Sequence, residues 1–136
     1  MPLASAILPE RLPKGVLPNV ILADVEGDTG LGCAGPWRIR FRLLGENIRA
    51  ATGEPWAGRY LDRNLVGELL PVFLTAYETP LRTRRPSVAP HQFVNFRDNV
   101  TYRSHRYLFP LSGDGRTISR LLGFQPIETG AWRSGV

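Results

Sequence analysis

The stretch at residues 37–45, with the sequence WRIRFRLLG, limits the fold of this chain more than any other. Apolar side chains at positions 37, 39, 41 and 43 alternate with Arg38, Arg40 and Arg42. Because successive side chains of a strand point to opposite faces, this pattern predicts a β-strand with an apolar face on a core and an arginine face in water. A helix would bury some of these arginines without partners, at a cost of several kcal/mol each. The stretch therefore predicts an antiparallel sheet that is covered on one face only.

The composition limits the class of protein. The 136 residues fit one domain, and a hydrophobic share of 43% is ordinary for a globular chain. No apolar run approaches the length of a membrane span, and prolines interrupt residues 1–17, which therefore do not resemble a signal peptide. Cys33 is the only cysteine, which excludes an internal disulfide and is compatible with a reducing compartment. We expect a cytoplasmic protein that does not associate with membranes.

The basic character of the chain raises the question of nucleic acid, since the net charge is +5 and the pI is about 10.1. The basic side chains are, however, spread along the sequence. The one tight group, Arg82, Arg84 and Arg85, falls where a helix is predicted to end, and cations complement the helix dipole there. No basic stripe with interleaved aromatic residues is present, so the sequence does not favour a nucleic acid partner.

The order of predicted elements is two strands, several short helices, one longer helix and three further strands. Strands are predicted at residues 19–26, 37–45, 88–96, 100–109 and 117–127, and helices at 46–52, from 62 toward 70, and at 71–83. Turns are predicted at 97–99 and 110–115. Residues 1–18 form an irregular lead-in, 19–128 the domain, and 129–136 a tail with Trp132. This order predicts an α+β domain with a five-stranded antiparallel sheet and helices on one face.

Local signals set the predicted helix ends. Gly53 stops the first helix and Asp62 is suited to cap the second. In the long helix, apolar residues recur at helical spacing and should lie on the sheet: Phe73, Leu74, Tyr77 and Leu81. Pro80 lacks an N–H, so a kink or an early end is expected there.

The residues also carry a resemblance to a known family. The pieces that carry it are Phe41-Arg42-Leu43-Leu44-Gly45, Gly53, Gly58-Arg59-Tyr60-Leu61-Asp62, Tyr77, Arg85-Pro86, and Leu108-Phe109-Pro110-Leu111-Ser112 closed by Asp114-Gly115. In their order and spacing, from about residue 20 to residue 127, they resemble the PAS domain, and in particular the single-domain PAS family common in alphaproteobacteria (the PAS_5 type).

The resemblance implies a small cytoplasmic sensory or interaction domain without catalysis, with a ligand cleft between sheet and helices. It also implies a partner that is a signalling protein, not identified by the sequence, and it is compatible with a small-molecule ligand and with a homodimer. One departure concerns the start of the chain. The family usually begins with a longer amphipathic helix, whereas residues 1–17 are short and rich in proline, which leaves the dimer geometry open and suggests a start further upstream.

The sequence does not predict a cofactor, so whether the protein holds one stays unknown. Flavin-binding photosensors of the PAS class carry a cysteine in an Asn-Cys-Arg-Phe motif that is absent here, and Cys33 lies in a glycine-rich stretch instead. Haem is not favoured, because the only histidines, His91 and His105, fall on predicted strands and not on the long helix. No metal-binding spacing of His, Cys or carboxylate residues occurs.

The candidate ligand-binding residues are Phe73, Tyr77, Arg103, His105 and Tyr107. Phe73 and Tyr77 share one helix face. On the strand at 100–109, the set with Arg103, His105, Tyr107 and Phe109 is expected to face inward, because its aromatic rings would then join the core. Arg103 and His105 would lie at a pocket rim suited to an anionic or polar ligand. The alternative is that Phe73, Tyr77 and Tyr107 simply fill the core.

Three interpretations of function stay open. The leading one is a PAS-like sensory module, not an enzyme, that binds a small ligand or partner and signals through protein–protein contact. The second is a purely structural interaction or dimerisation domain whose cleft is filled by its own side chains. The third is a small α+β enzyme of the isomerase type, which needs an acidic base in an apolar pocket, with Asp24 and Asp62 as the residues to substitute.

Overall fold

The computed structural model describes residues 15–94 and 99–126, and these form one antiparallel sheet with helices on one face. The strands are β1 (Val20–Glu26), β2 (Arg38–Leu44), β3 (Ser87–Val94), β4 (Thr101–Ser112) and β5 (Ile118–Phe124), in the order β2-β1-β5-β4-β3. The helices α1 (Glu46–Thr52), α2 (Arg63–Val66) and α3 (Leu70–Thr83) lie between β2 and β3 in the chain. The predicted order of elements is confirmed for this part of the chain.

Several sequence predictions fall wholly or partly outside the described residues. They concern most of the lead-in at 1–18, the ends of the predicted strands at 88–96 and 117–127, part of the turn at 97–99, the end of the domain at 127–128, and the tail at 129–136 with Trp132. Within the described ranges, no helix has the length and apolar character needed to cross a membrane.

Strand β2 has the predicted alternation over most of its length. Ile39 and Phe41 are buried, and the three arginines between and beside them are exposed. The Phe41 ring meets Tyr77 of α3 edge-on, with ring centroids 5.7 Å apart. The apolar face of β2 therefore forms the floor of the core, as predicted.

The alternation fails at the end of β2, because the pairing with β1 shifts by one residue there. Phe41 and Leu43 pair with consecutive residues of β1, so Arg42 is an extra residue and forms a bulge. Leu44 consequently joins the core, whereas Leu43 packs against a second cluster with Leu22 on the outer face of the sheet. The prediction that Leu43 shares the face of Phe41 is wrong for this reason.

The helix ends follow the predicted signals with one exception. Gly53 ends α1 in the left-handed region at φ 75°, and Asp62 caps α2 by accepting a hydrogen bond from the Leu65 amide over 3.0 Å. Of the two outcomes expected at Pro80, the early end is wrong, because α3 continues to Thr83. The Pro80 ring is fully buried, so its packing offsets the hydrogen bond that its missing N–H cannot make.

The predicted apolar stripe of α3 lies on the sheet. Phe73, Tyr77 and Leu81 are buried in the cluster that contains Phe41, and Leu74 packs at its margin. The main core is thus enclosed between the helices and the inner face of the sheet.

The turn between β4 and β5 comes later than predicted, because β4 continues through Pro110 to Ser112. Asp114 organises this turn by accepting hydrogen bonds from the amides of Arg116 and Thr117, each over 2.8 Å. These bonds hold the pKa of Asp114 well below its usual range.

Candidate ligand-binding cleft

A cavity of about 330 Å³ lies between the inner face of the sheet and helices α1 and α3. Its volume falls at the lower end of the range typical of small-molecule sites, about 300–1,000 Å³. The residues that line it are mostly apolar or aromatic: Ile21, Ile48, Ala51, Thr52, Trp56, Leu69, Phe73, Tyr77, His91, Gln92, Arg106 and Gln125. We refer to this cavity as the cleft.

Arg106 is the charged residue of the cleft and is only 4% exposed. Its Nε donates to Oε1 of Gln125 and its Nη2 donates to Nε2 of His91, each over 3.2 Å. Its guanidinium carbon lies 5.0 Å from the Phe73 ring centroid and 5.1 Å from that of Tyr77. All of these partners are neutral or aromatic, and no carboxylate within the described ranges forms an ion pair with Arg106.

His91 reaches the cleft from β3. Its ring meets Phe73 with centroids 5.6 Å apart. Burial, together with the positive charge of Arg106, lowers the pKa of His91 from 6.5 to about 3. His91 is therefore neutral near pH 7 and does not add to the charge of the cleft.

Two buried polar atoms that line the cleft have no hydrogen-bond partner among the described residues: Nε1 of Trp56 and the hydroxyl of Tyr77. Trp56 follows α1, and its ring packs against Phe41 and Phe73 with centroids 5.2 Å and 6.1 Å away. Burial raises the pKa of Tyr77, so its hydroxyl keeps its proton. Buried polar groups without a partner are uncommon in native proteins, and both atoms can donate to an acceptor placed in the cleft.

Of the predicted ligand-binding residues, Phe73 and Tyr77 line the cleft, and their role toward a ligand stays a prediction. The prediction about the inward face of β4 is wrong. Arg103, His105 and Tyr107 are exposed on the opposite side of the sheet, so they cannot form a rim of this cleft. Residues Ser104, Arg106 and Leu108 face the helices instead.

This error arises because the two faces of β4 are similar in hydropathy. Each alternating set contains an arginine and an aromatic or large apolar residue, so hydropathy does not distinguish them. Pairing with β5 decides the outcome: the Tyr107 ring packs near the Phe124 ring on the outer face, with centroids 6.4 Å apart. Sequence reasoning therefore missed Arg106, and it also missed Trp56, His91 and Gln125 as cleft residues.

A second apolar surface lies on the outer face of the sheet. It forms an open hollow of about 520 Å³ lined by Val16, Val20, Tyr107, Phe109, Leu122, Gly123, Phe124 and Pro126, which we call the outer-face patch. Tyr107 is 38% exposed and Phe109 37%, which is high for rings of this size on a folded surface.

The described residues contain no group of three or more His, Cys, Asp or Glu side chains arranged to hold a metal ion. Cys33, the one cysteine of the chain, lies in the loop between β1 and β2, where it interacts with Asp28 and does not line the cleft.

Comparison with solved structures finds a variant of RsLOV, an LOV domain, at a TM-score of 0.50 and 18% sequence identity. The alignment covers 90% of this chain and 67% of that one. No family model matches the chain, and neither does any curated protein. At this identity the likeness concerns the fold. Together with the five-stranded antiparallel sheet and its helices on one face, it shows that this chain has an α+β, PAS-like fold.

Proposed function

We propose that this chain is a PAS-like sensory module that takes a small ligand into the cleft and signals through contact with another protein. One observation carries the proposal: a buried arginine and two buried donors line the same apolar cavity, and among the described residues the arginine has no counter-charge and the donors have no partner. A core that only packs against itself would be expected to satisfy or avoid such groups. A bound ligand would satisfy them.

The outer-face patch supports the second half of the proposal. Large exposed aromatic side chains are typical of surfaces that contact other proteins. Strand β4 belongs to both surfaces, since Arg106 faces the cleft and the next residue, Tyr107, faces the patch. A ligand with different affinities for two positions of this strand would shift the population presented to a partner.

The finer family assignment, to the alphaproteobacterial PAS_5 type, belongs to the same proposal. Its support is the position of the resembling pieces in the fold. Phe41, Tyr77 and Leu108 meet in the main core, and Gly53 takes the left-handed conformation that ends α1. The likeness to RsLOV brings no flavin-adduct chemistry with it, because Cys33 lies outside the cleft.

Native mass spectrometry of the full chain purified from its host tests the proposal. We expect a co-purified small molecule that is lost when the cleft is filled by Ala51→Leu. The matched control is Ala50→Leu, on the neighbouring residue that does not line the cleft. An empty protein, both from the host and after incubation with a host metabolite extract, would overturn the sensory proposal.

The second candidate is a structural dimerisation domain, which the outer-face patch favours. Substituting both Tyr107 and Phe109 by Ser and measuring mass by light scattering tests this role, because these side chains are exposed and dispensable for the core. The isomerase interpretation has no comparable support, since the described residues that line the cleft include no carboxylate to act as a base.

A further inference from the structure

The charge of the cleft identifies the class of ligand. Arg106 is a permanent cation, buried to 4% exposure, whose protein partners Gln125 and His91 are neutral acceptors. A buried charge is stable only when it is paired or well hydrogen-bonded, and a missing counter-charge is costly. Building on the proposed function, we infer that the ligand is a small carboxylic acid, bound as a monoanion, with its carboxylate at Arg106 and its apolar body against the aromatic wall.

The number of charges favours a carboxylate over a phosphate. Among the described residues that line the cleft, Arg106 is the one cation, so a single negative charge neutralises the site and a dianion would leave charge uncompensated. Nε and Nη2 of Arg106 already donate to Gln125 and His91, so both hydrogens of Nη1 and the second hydrogen of Nη2 remain for the two oxygens of a carboxylate.

The neutral polar groups agree with an acceptor-rich head group. The indole N–H of Trp56 can only donate, and the Tyr77 hydroxyl keeps its proton because burial raises the pKa of Tyr77. Both are buried without a partner in the described protein and line the same cavity as Arg106. A ligand rich in donors, such as an amine, would leave these groups unsatisfied and would also be repelled by Arg106.

The other residues that line the cleft determine which kind of ligand body fits there. Ile21, Ile48, Leu69 and Phe73 offer aliphatic and aromatic surface, and the Trp56 and Phe73 rings meet edge to face. A cavity of about 330 Å³ accommodates one ring or a short chain. Sugars and polyols would lose the hydrogen bonds they make with water and gain too few in return.

The test compares acids with their neutral amides on the full chain. The panel is phenylacetate, indole-3-acetate and octanoate, each beside its primary amide, measured by thermal shift and calorimetry. We expect at least one acid to bind with an affinity at least about tenfold above that of its amide, since hydrogen bonds to charged groups are the stronger ones.

Two arginine variants locate the effect. Arg106→Met should reduce the affinity for the acid by about tenfold or more and leave the affinity for the amide unchanged. Arg103→Met is the matched control, because Arg103 is exposed on the opposite face of the same strand, and it should bind like the wild type.

A third variant keeps the inference testable if Arg106→Met does not fold. Tyr77→Phe removes only the unpartnered hydroxyl, and we expect it to weaken acid binding by a few-fold while the empty protein stays folded. A purely structural role of Tyr77 would leave the affinity for the acid unchanged, which would count against the inference.

Different experimental results would overturn the carboxylate inference and the proposed function. Amides that bind as well as acids, Arg106→Met that binds acids like the wild type, or a neutral molecule co-purifying with the protein would overturn the carboxylate assignment and leave the sensory module standing. Absence of binding across the whole panel, together with an empty protein from the host, would overturn both.

Discussion

Arg106 donates a hydrogen bond to Nε2 of His91 over 3.2 Å inside the cleft. An arginine side chain has no acceptor, so His91 must accept and carry its own proton on Nδ1. Burial, together with the neighbouring charge of Arg106, lowers the pKa of His91 to about 3 and keeps it in this neutral form. The pair therefore carries one positive charge. Because the folded protein keeps His91 neutral, its stability should decrease in acid.

The first prediction is a loss of stability below neutral pH. The pKa of His91 is 6.5 in the unfolded chain, whereas in the folded protein it is lowered to about 3. The unfolded state is thus favoured as the pH falls, and the free energy of unfolding should drop by about 1–2 kcal/mol between about pH 6.5 and pH 5 from this group. Urea unfolding at several pH values measures the change.

His91→Gln should remove this part of the acid sensitivity. Among the described residues, the other titratable and charged groups that line the cleft with His91 are Arg106 and Tyr77; an arginine is not deprotonated in proteins, and burial raises the pKa of Tyr77. His105→Gln is the control, since it leaves His91 in place and should keep the loss in acid. Equal pH profiles of the two variants would show that His91 is not the responsible group.

The second prediction concerns the hydroxyl of Tyr77. This atom is buried without a hydrogen-bond partner in the described protein, so the empty protein bears its desolvation cost. Tyr77→Phe keeps the ring contact with Phe41 and should raise the free energy of unfolding by about 1 kcal/mol. Thermal and urea unfolding measure this, and a clear loss of stability would mean that the hydroxyl has a partner in solution.

The sheet could be predicted where one face differs strongly from the other. In β2 the apolar and arginine residues separate cleanly, so the pattern correctly predicts that Ile39 and Phe41 lie in the core. The extra residue at Arg42 could not be foreseen, because a bulge depends on the pairing with β1 and not on the sequence of β2 alone. Periodicity describes a strand, whereas register is a property of two strands.

The cleft could be predicted only in part. Phe73 and Tyr77 follow from the helical spacing of α3, which places both on one face. Arg106 could not be found in the same way, because a buried arginine contradicts the hydropathy on which such reasoning depends. Trp56 lies in a connection without any period, so its approach to the cleft depends on the path of the chain.

The third prediction tests the cap of α2. Oδ1 of Asp62 accepts a hydrogen bond from the Leu65 amide over 3.0 Å at the start of the helix, where the same amide also donates to the Asp62 carbonyl over 3.1 Å. Asp62→Ala should lower the free energy of unfolding by about 1 kcal/mol, and Asp62→Asn, which keeps an acceptor, by only a few tenths. Urea unfolding of the two variants measures the difference, and equal losses would exclude capping as the role of Asp62.

The fourth prediction concerns Gly45, which joins β2 to α1. Its amide donates to the Val20 carbonyl over 2.7 Å, and a Cβ added here would overlap the carbonyl oxygens of Leu17 and Pro18. The φ of Gly45 is −62°, which alanine adopts freely, so the cost of a substitution arises from this close approach alone.

Gly45→Ala should therefore lower the free energy of unfolding by at least about 2 kcal/mol, because backbone on both sides of the contact must move. Gly113→Ala is the matched control. A Cβ at Gly113 would meet only the Ser119 hydroxyl, at an ordinary 3.7 Å, so the change should stay within about 0.5 kcal/mol. Urea unfolding compares the two, and equal stability of both variants would mean that the segment before β1 does not lie against Gly45 in solution.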